Sequence, residues 1–334
     1  MTSKNMHLNK PFLLKPASKD YLWGGRRLKD DFAKETDLTP LAETWECSTH
    51  PDGPSIIASG KPTGKTLTDV LKKHPEYLGT HPENKNELPI LIKFIDAKKD
   101  LSVQVHPDDA YAREHENGSL GKTEMWYVLD AASDAKLVYG LQHDIDKESI
   151  RKSIEQGTIE KYLQKVPIRK DDVFYIEAGT IHAIGAGALV AEVQESSNLT
   201  YRMYDYDRVD KNGAKRALHV DKALEVANLN SSAAPRQALR VLKYRPGCAT
   251  EFLCRCKYFQ VERMLVNTER IREMVSFQTT GLSFQVLLCL NGCGTISYGE
   301  NEMLRFFKGD CIFVPANSIS MKIHGTAQFL KVSC

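Results

Sequence analysis

Residues 171–182 read DDVFYIEAGTIH, and residues 309–320 read GDCIFVPANSIS. Each leads from an Asp through an apolar strand into a turn of small residues, which points to one topology used twice. Upstream, EMWYVLDAASDAKLVYG at 124–140 matches SFQVLLCLNGCGTISYG at 283–299 in length and in apolar positions, with Gly140 opposite Gly299. The alignment sets Glu124 against Ser283 and His182 against Ser320. Metal-ligand residue types stand in one copy where the other has only hydroxyls, so one functional unit and one structural or lid unit are expected.

Working outward, PILIKFIDA, LSVQVHP, KLVYG, LVAEVQE and LTYRMYDY are further short apolar or alternating segments bounded by Gly, Asp and Pro. This spacing predicts a mainly β protein of barrel or sandwich type. Three stretches depart from it and read as helices inserted around the β core. In IDKESIRKSIEQGTIEKYLQKV the residues Ile145, Ile150, Ile154, Ile159 and Leu163 recur near helical spacing, and TLTDVLKKHPEYLG and VDKALEVANL look similar. SSAAPRQ at 231–237 is small, polar and proline-containing, the composition of a linker. The expected division is therefore a first domain at 1–230, with a helical insertion at about 141–167, and a second, degenerate domain at 238–334.

Composition narrows the function. A chain of 334 residues has room for two domains. Its 45 Lys and Arg against 43 Asp and Glu leave a formal charge of +2, too balanced for a protein that reads a nucleic-acid backbone. The longest apolar runs, LPILIKFI and FQVLLCL, fall short of the roughly 18–20 residues of a membrane span. The N-terminal MTSKNMHLNKPFLLKPASK lacks a signal peptide's apolar stretch, which points to the cytoplasm. Eight cysteines include no CxxC pair, and Cys254 and Cys256 read as small buried hydrophobes rather than a soft-metal pair.

The chemistry-bearing residues lie in the first copy. Gln104 and His106 alternate on a strand and share a face, Glu124 opens the next strand, and His182 follows the glycine turn. Two imidazoles, a carboxylate and an amide oxygen suit a divalent first-row ion, zinc among them, with manganese, iron and cobalt also compatible. Q-x-H, then E, then H after a glycine turn is the ligand order of metal-binding cupin barrels.

LSVQVHPDD, GKTEMWYVL, AGTIHAIG and AEVQESSNLTYRMYDYDR, with WGG at 23–25 and ETWECSTHPDGPS at 43–55, closely resemble the type I mannose-6-phosphate isomerases. The resemblance runs from about residue 10 to 225 and weakens over the C-terminal copy. It implies two cupin-type (jelly-roll) β-barrels and an enzyme with one Zn2+ per chain that interconverts mannose 6-phosphate and fructose 6-phosphate. Gln104, His106, Glu124 and His182 match the family's zinc ligands, and Arg202 falls in its active site. Ser102 resembles its phosphate-contacting serine. Arg208 stands where relatives carry a basic phosphate-binding residue, often lysine.

The reaction moves a proton between C1 and C2 through an enediol or enediolate, so it needs a base and fixed positive charge. Arginine stays protonated in proteins, which suits Arg202 to charge stabilisation. Glu192, on the strand LVAEVQE, is the expected proton-transfer carboxylate, because burial raises a carboxyl pKa toward neutrality. Metal-bound water is another candidate shuttle. Glu195, three residues on, points to the opposite face. Lys122, two before Glu124, faces the ligand side and could assist the substrate oxygens. Lys215 and Arg216 read as a solvated turn. The aromatic run YRMYDYDR is no base-stacking strip, since Asp205 and Asp207 cancel much of its positive field. The expected partner is a small sugar phosphate, with no nucleic acid and no membrane, and the sequence selects neither monomer nor homodimer. Two competing readings are a phosphate-independent sugar isomerase on the same scaffold and a non-catalytic cupin-fold sugar-binding module. Retention of all four ligand types with Arg202 and Glu192 argues against the second.

Overall fold

The computed structural model describes residues 9–82, 87–209, 212–271 and 273–334. Its strands form three antiparallel sheets. A six-stranded sheet runs Val173–Ile176, Glu124–Ala131, Ala188–Glu195, Ile90–Asp96, Glu43–Cys47, Ala17–Lys19. A five-stranded sheet runs Tyr201–Tyr204, Val103–Val105, His182–Ile184, Lys136–Leu141, Leu163–Pro167. Among the described residues neither sheet closes on itself, so the cupin-type architecture is built from facing sheets rather than from a sealed ring of strands.

The middle of the six-stranded sheet is buried on both faces. One face, with Ile95, Trp126, Val128 and Val190, packs toward Ile184 and Leu137 of the five-stranded sheet. The opposite face, with Ile92, Phe94, Met125, Tyr127, Ala191 and Val193, packs against Phe284, Phe313 and Leu330 of the C-terminal half. Double burial is why LPILIKFI reads as a continuous apolar run instead of an alternating one.

The ten-stranded C-terminal sheet, in which Val275–Phe277 pairs with Met321–Ser333 and Glu302–Phe307 with Gln285–Tyr298 as side branches, follows the path Leu242–Arg245, Cys248–Arg255, Gln260–Asn267, Met321–Ser333, Gln285–Tyr298, Cys311–Val314, Phe12–Lys15, Ile56–Ile57. Its last two strands come from inside the 1–230 segment, so the N-terminal stretch stitches the two halves together. Behind the sheet, Phe306, Phe329, Ile312 and Met321 form a second core.

The internal repeat holds in one half and slips in the other. Strands Val173–Ile176 and Cys311–Val314 correspond, and the flanking left-handed residues coincide: Asp171 (φ +72°) with Gly309 (φ +95°), then Gly179 (φ +86°) with Asn317 (φ +52°). Upstream, Ile176 pairs with Glu124 whereas Val314 pairs with Gln285. Gln285, not Ser283, therefore takes the ladder position of Glu124. Gly140 lies within the strand Lys136–Leu141, while Gly299 follows Gln285–Tyr298 in a hairpin turn. A two-residue slip preserves every side chain's face, so a period-two apolar pattern cannot detect it.

The helical insertion is shorter than expected. Asp146 caps Lys147–Glu155 by accepting from Ser149 N–H, and Ile150 and Ile154 face inward. Gly157, at φ +66°, stands just beyond the helix. Ile159–Lys161 is one 3₁₀ turn, and Leu163–Pro167 joins the five-stranded sheet as a strand. Helices do form at Leu67–Lys73 and Val220–Val226. No helix among the described residues is long and apolar enough to cross a membrane. All eight cysteines are free.

Candidate metal centre and active site

Each of the two facing sheets supplies a row of site residues, and strand register sets the rows. In the five-stranded sheet Gln104 is the direct partner of both His182 and Arg202. In the six-stranded sheet Glu192 is the direct partner of Lys93 on one side and Trp126 on the other. Glu124, two residues before Trp126, shares its face, and His106 follows the strand Val103–Val105.

The imidazoles and the carboxylate converge. His106 Nε2 lies 3.1 Å from His182 Nε2 and 3.3 Å from Glu124 Oε1, and His182 Nε2 lies 3.8 Å from Glu124 Oε2. The Gln104 side-chain amide is 3.4 Å from His182 Nε2. Ligand atoms tetrahedrally bound at about 2.0–2.1 Å from an ion stand about 3.3 Å from one another, so these separations suit a shared cation. His106, Glu124 and His182 are buried, and among the described residues Glu124 Oε2 and His106 Nδ1 have no hydrogen-bond partner. Buried lone pairs left unmatched are costly unless something else satisfies them, and a metal ion would do so for the carboxylate. The outer His182 Nδ1 lies 2.8 Å from Thr180 O, an arrangement that leaves Nε2 free to ligate when Nδ1 donates.

Lys122 Nζ enters the same cluster, 2.5 Å from Glu124 Oε1 and 3.1 Å from His106 Nε2. Burial and the neighbouring ammonium of Lys122 push His106 down to about 3, which keeps its imidazole neutral. Burial alone would raise Glu124. Lys122 and His106 outweigh that and hold the carboxyl well below its usual range.

Behind this cluster Glu192 Oε2 accepts from Trp126 Nε1 at 2.8 Å, and Lys93 Nζ lies 3.1 Å from Oε1. Lys93 also comes within 3.8 Å of Glu43. Burial raises the Glu192 pKa, the Glu124 charge adds to the rise, and Lys93 opposes it. For Lys93 burial acts downward but is overcome by Glu192 and Glu43, so the ammonium is retained. Glu195 lies on the other face of the strand, where its Oε1 accepts from Thr123 N–H at 2.8 Å.

At the mouth of the site Arg202 Nε donates toward the buried Ser102 Oγ at 3.3 Å, and its Nη1 donates to Ala217 O at 2.9 Å. Arg208 is fixed by Asp205 and by Asp100 O. Contacts and register thus link Ser102, Gln104, His106, Lys122, Glu124, His182 and Arg202, with Glu192 close enough to feel the Glu124 charge and Arg208 sharing Asp205 nearby.

Comparison with known proteins identifies relatives of the chain. Residues 12–139 match the family model for the phosphomannose isomerase type I catalytic domain, and residues 249–334 match that for the mannose-6-phosphate isomerase cupin domain. A mannose-6-phosphate isomerase of Streptococcus mutans is 36% identical, over 96% of this chain and 97% of its own. A putative mannose-6-phosphate isomerase of Bacillus subtilis, YvyI, is 35% identical, over 96% and 98%. The chain belongs to the type I phosphomannose isomerases. The crystal structure of the mannose 6-phosphate isomerase from Bacillus subtilis superposes with a TM-score of 0.88 at 35% identity, covering 98% of this chain and all of that one. A putative mannosephosphate isomerase from Archaeoglobus fulgidus, 21% identical with a TM-score of 0.73, shares the fold.

Several members of this isomerase's site escape a reading of sequence alone. Lys93 is hidden in LPILIKFI, and its only local signal is a lone charge within an otherwise apolar strand. Glu43 and Trp126 are brought in by register. Arg216 corrects an expectation: Lys215 does form an exposed ion pair with Asp207, but Arg216 folds inward onto Asp205.

Proposed function

We propose that this isomerase converts mannose 6-phosphate to fructose 6-phosphate and back with one zinc ion per chain, held by Gln104, His106, Glu124 and His182. The observation that carries the reading is the convergence of His106, Glu124 and His182 at 3.1–3.8 Å in a buried cluster in which Glu124 Oε2 has no hydrogen-bond partner among the described residues. When bound, zinc would supply Lewis-acid polarisation of the sugar's C1 and C2 oxygens.

The chain's own residues divide the remaining work. Glu192 exchanges the proton between C1 and C2, since burial and the nearby Glu124 charge raise its basicity while Trp126 and Lys93 fix its orientation. Arg202 and Lys122 place positive charge where the enediolate oxygens develop negative charge. Ser102 and Arg208 receive the phosphate. The planar Arg208 fork in place of a lysine ammonium favours two parallel contacts to phosphate oxygens. The metal-holding unit is assigned to 1–230 and the degenerate unit to 238–334, in a chain working in the cytoplasm.

The test is turnover of mannose 6-phosphate beside free mannose, using metal-loaded protein. A specificity constant for the phosphorylated sugar higher by at least about a hundredfold is expected. Equal constants would remove phosphate from the account, and binding without formation of fructose 6-phosphate would leave a sugar-binding module.

A further inference from the structure

Beyond the strand Tyr201–Tyr204 the chain makes a turn that its residues do not favour. Tyr206 and Asp207 both have positive φ, +55° and +53°, and Arg208 N–H donates back to Asp205 O at 3.1 Å. Two successive positive φ values are those of a type I′ turn, in which glycine, asparagine and aspartate are the comfortable occupants, so Asp207 fits and Tyr206 does not. A tyrosine there is strained and persists only where its surroundings impose it.

Those surroundings are charged. The Asp205 side chain, 5% exposed, contacts Arg208 Nη2 at 2.5 Å and accepts from Arg216 Nε at 2.8 Å, with Arg216 Nη2 on its other oxygen. The Arg208 guanidinium lies over the Tyr206 ring, 5.1 Å from its centroid, and also donates to Asp100 O. The third guanidinium, Arg202, contacts Ser102 and the carbonyl of Ala217, the residue following Arg216. Arginine does not deprotonate, so among the described contacts the single Asp205 carboxylate is shared by two permanent positive charges, with a third held against Ser102. The Arg208 and Arg216 side chains are 17% and 23% exposed, so each retains an open side. Burial and the positive charges of Arg216 and Arg208 all lower the Arg202 pKa, so the three guanidiniums crowd one another. Such crowding is relieved by a dianion.

We propose that Arg216 is a phosphate-specificity residue which, paired with Arg208 on the shared Asp205 carboxylate, presents a second guanidinium to the substrate's phosphate group. This rests on the reading of the site as a sugar-phosphate isomerase and adds a residue from the 212–219 segment to Ser102 and Arg208. Asp205 then serves to aim the two forks, and the costly turn at Tyr206–Asp207 places Arg208 beside Arg216.

The experiment compares wild type, Arg216→Gln and Arg216→Lys in the full-length, metal-loaded protein. Steady-state kinetics give KM and kcat for mannose 6-phosphate, and inorganic phosphate is titrated both as an inhibitor and calorimetrically. Arg216→Gln is expected to raise KM and the phosphate constant by about tenfold each, with kcat falling less than threefold, and Arg216→Lys should recover part of both. A KM and phosphate constant within twofold of wild type would overturn the proposal. So would a loss of kcat at unchanged KM, the mark of a residue that merely closes the loop. If Arg216→Gln does not fold, Arg216→Lys is judged by the same two constants. If wild type fails to isomerise the sugar, the calorimetric phosphate titration still decides the role of Arg216, so the two failures are separable.

Discussion

The turn at 177–180 and the turn at 315–318 share a backbone and differ in what they deliver. In the first, Gly179 adopts a left-handed conformation, its N–H donates to His106 O at 2.9 Å, and His182 follows three residues later. In the second, Asn317 is left-handed, its N–H donates to Thr280 O at 2.8 Å, and the exposed Ser320 follows. By this correspondence the C-terminal counterpart of His106 is Thr280 and that of Gln104 is Gln278. The second copy keeps the turn, the strand and the amide but has neither imidazole nor the carboxylate. The shared fold rests on backbone geometry and apolar faces, and the two copies differ in a few polar side chains whose replacement leaves the fold in place.

Breaking the comparison at His182 and Ser320 should give the largest contrast. His182→Ala is expected to lower mannose 6-phosphate turnover by at least about a thousandfold, whereas Ser320→Ala should leave turnover and melting temperature unchanged. Comparable losses in the two variants would mean that the C-terminal turn also serves the reaction. Arg202→Lys comes next. It keeps a charge but loses the fork that reaches Ser102 and Ala217, so turnover should fall by roughly a hundredfold at unchanged metal content. Near-normal turnover would remove Arg202 from charge stabilisation.

Smaller effects test whether the two turns are equivalent as backbone. Gly179→Ala forces a side chain into φ +86°, with its Cβ 3.0 Å from Val226 O, and should cost about 1–2 kcal/mol in urea unfolding. Asn317→Gly should change stability by only a few tenths of a kcal/mol. A pH-dependent test concerns the seam between the halves. Glu195 faces the C-terminal half, and burial, with the Asp109 charge adding, pushes its carboxyl up to about 8. The folded protein thus holds a proton on Glu195 at pH values where the unfolded chain, near 4.5, has lost it. Stability should therefore fall as pH rises from about 4.5 to about 8, by at most ~1.4 kcal/mol per unit from this group, and level off above. Glu195→Gln should flatten that part of a melting-temperature profile, and an unaltered slope would reassign the titration.

Much of this was legible before the fold was known, for identifiable reasons. Alternation placed Gln104 and His106 on one face, and the glycine turn announced His182, because strand period and left-handed backbone both leave local marks in sequence. Glu192 and Glu195 were separable by the same rule. Lys93 was not legible, because an ion pair with a residue on the neighbouring strand leaves no trace in the local pattern of either. Arg216 lies in a polar run that looks solvated, and only its fold-back onto Asp205 gives it a place. The slipped alignment of Glu124 with Ser283 fails for a related reason, since apolar periodicity records which face a residue occupies and not which rung of the ladder. The strand Leu163–Pro167 was taken for helix because Ile159 and Leu163 continue a four-residue spacing that the chain itself abandons around Gly157.

The most direct test of the central claim is the metal content of purified wild type, His106→Ala and His182→Ala, measured by elemental analysis. The account predicts about one zinc per chain in wild type and less than about a tenth of that in each variant. Undiminished zinc in both variants would contradict it, because the ion would then be held somewhere other than between these two imidazoles and Glu124.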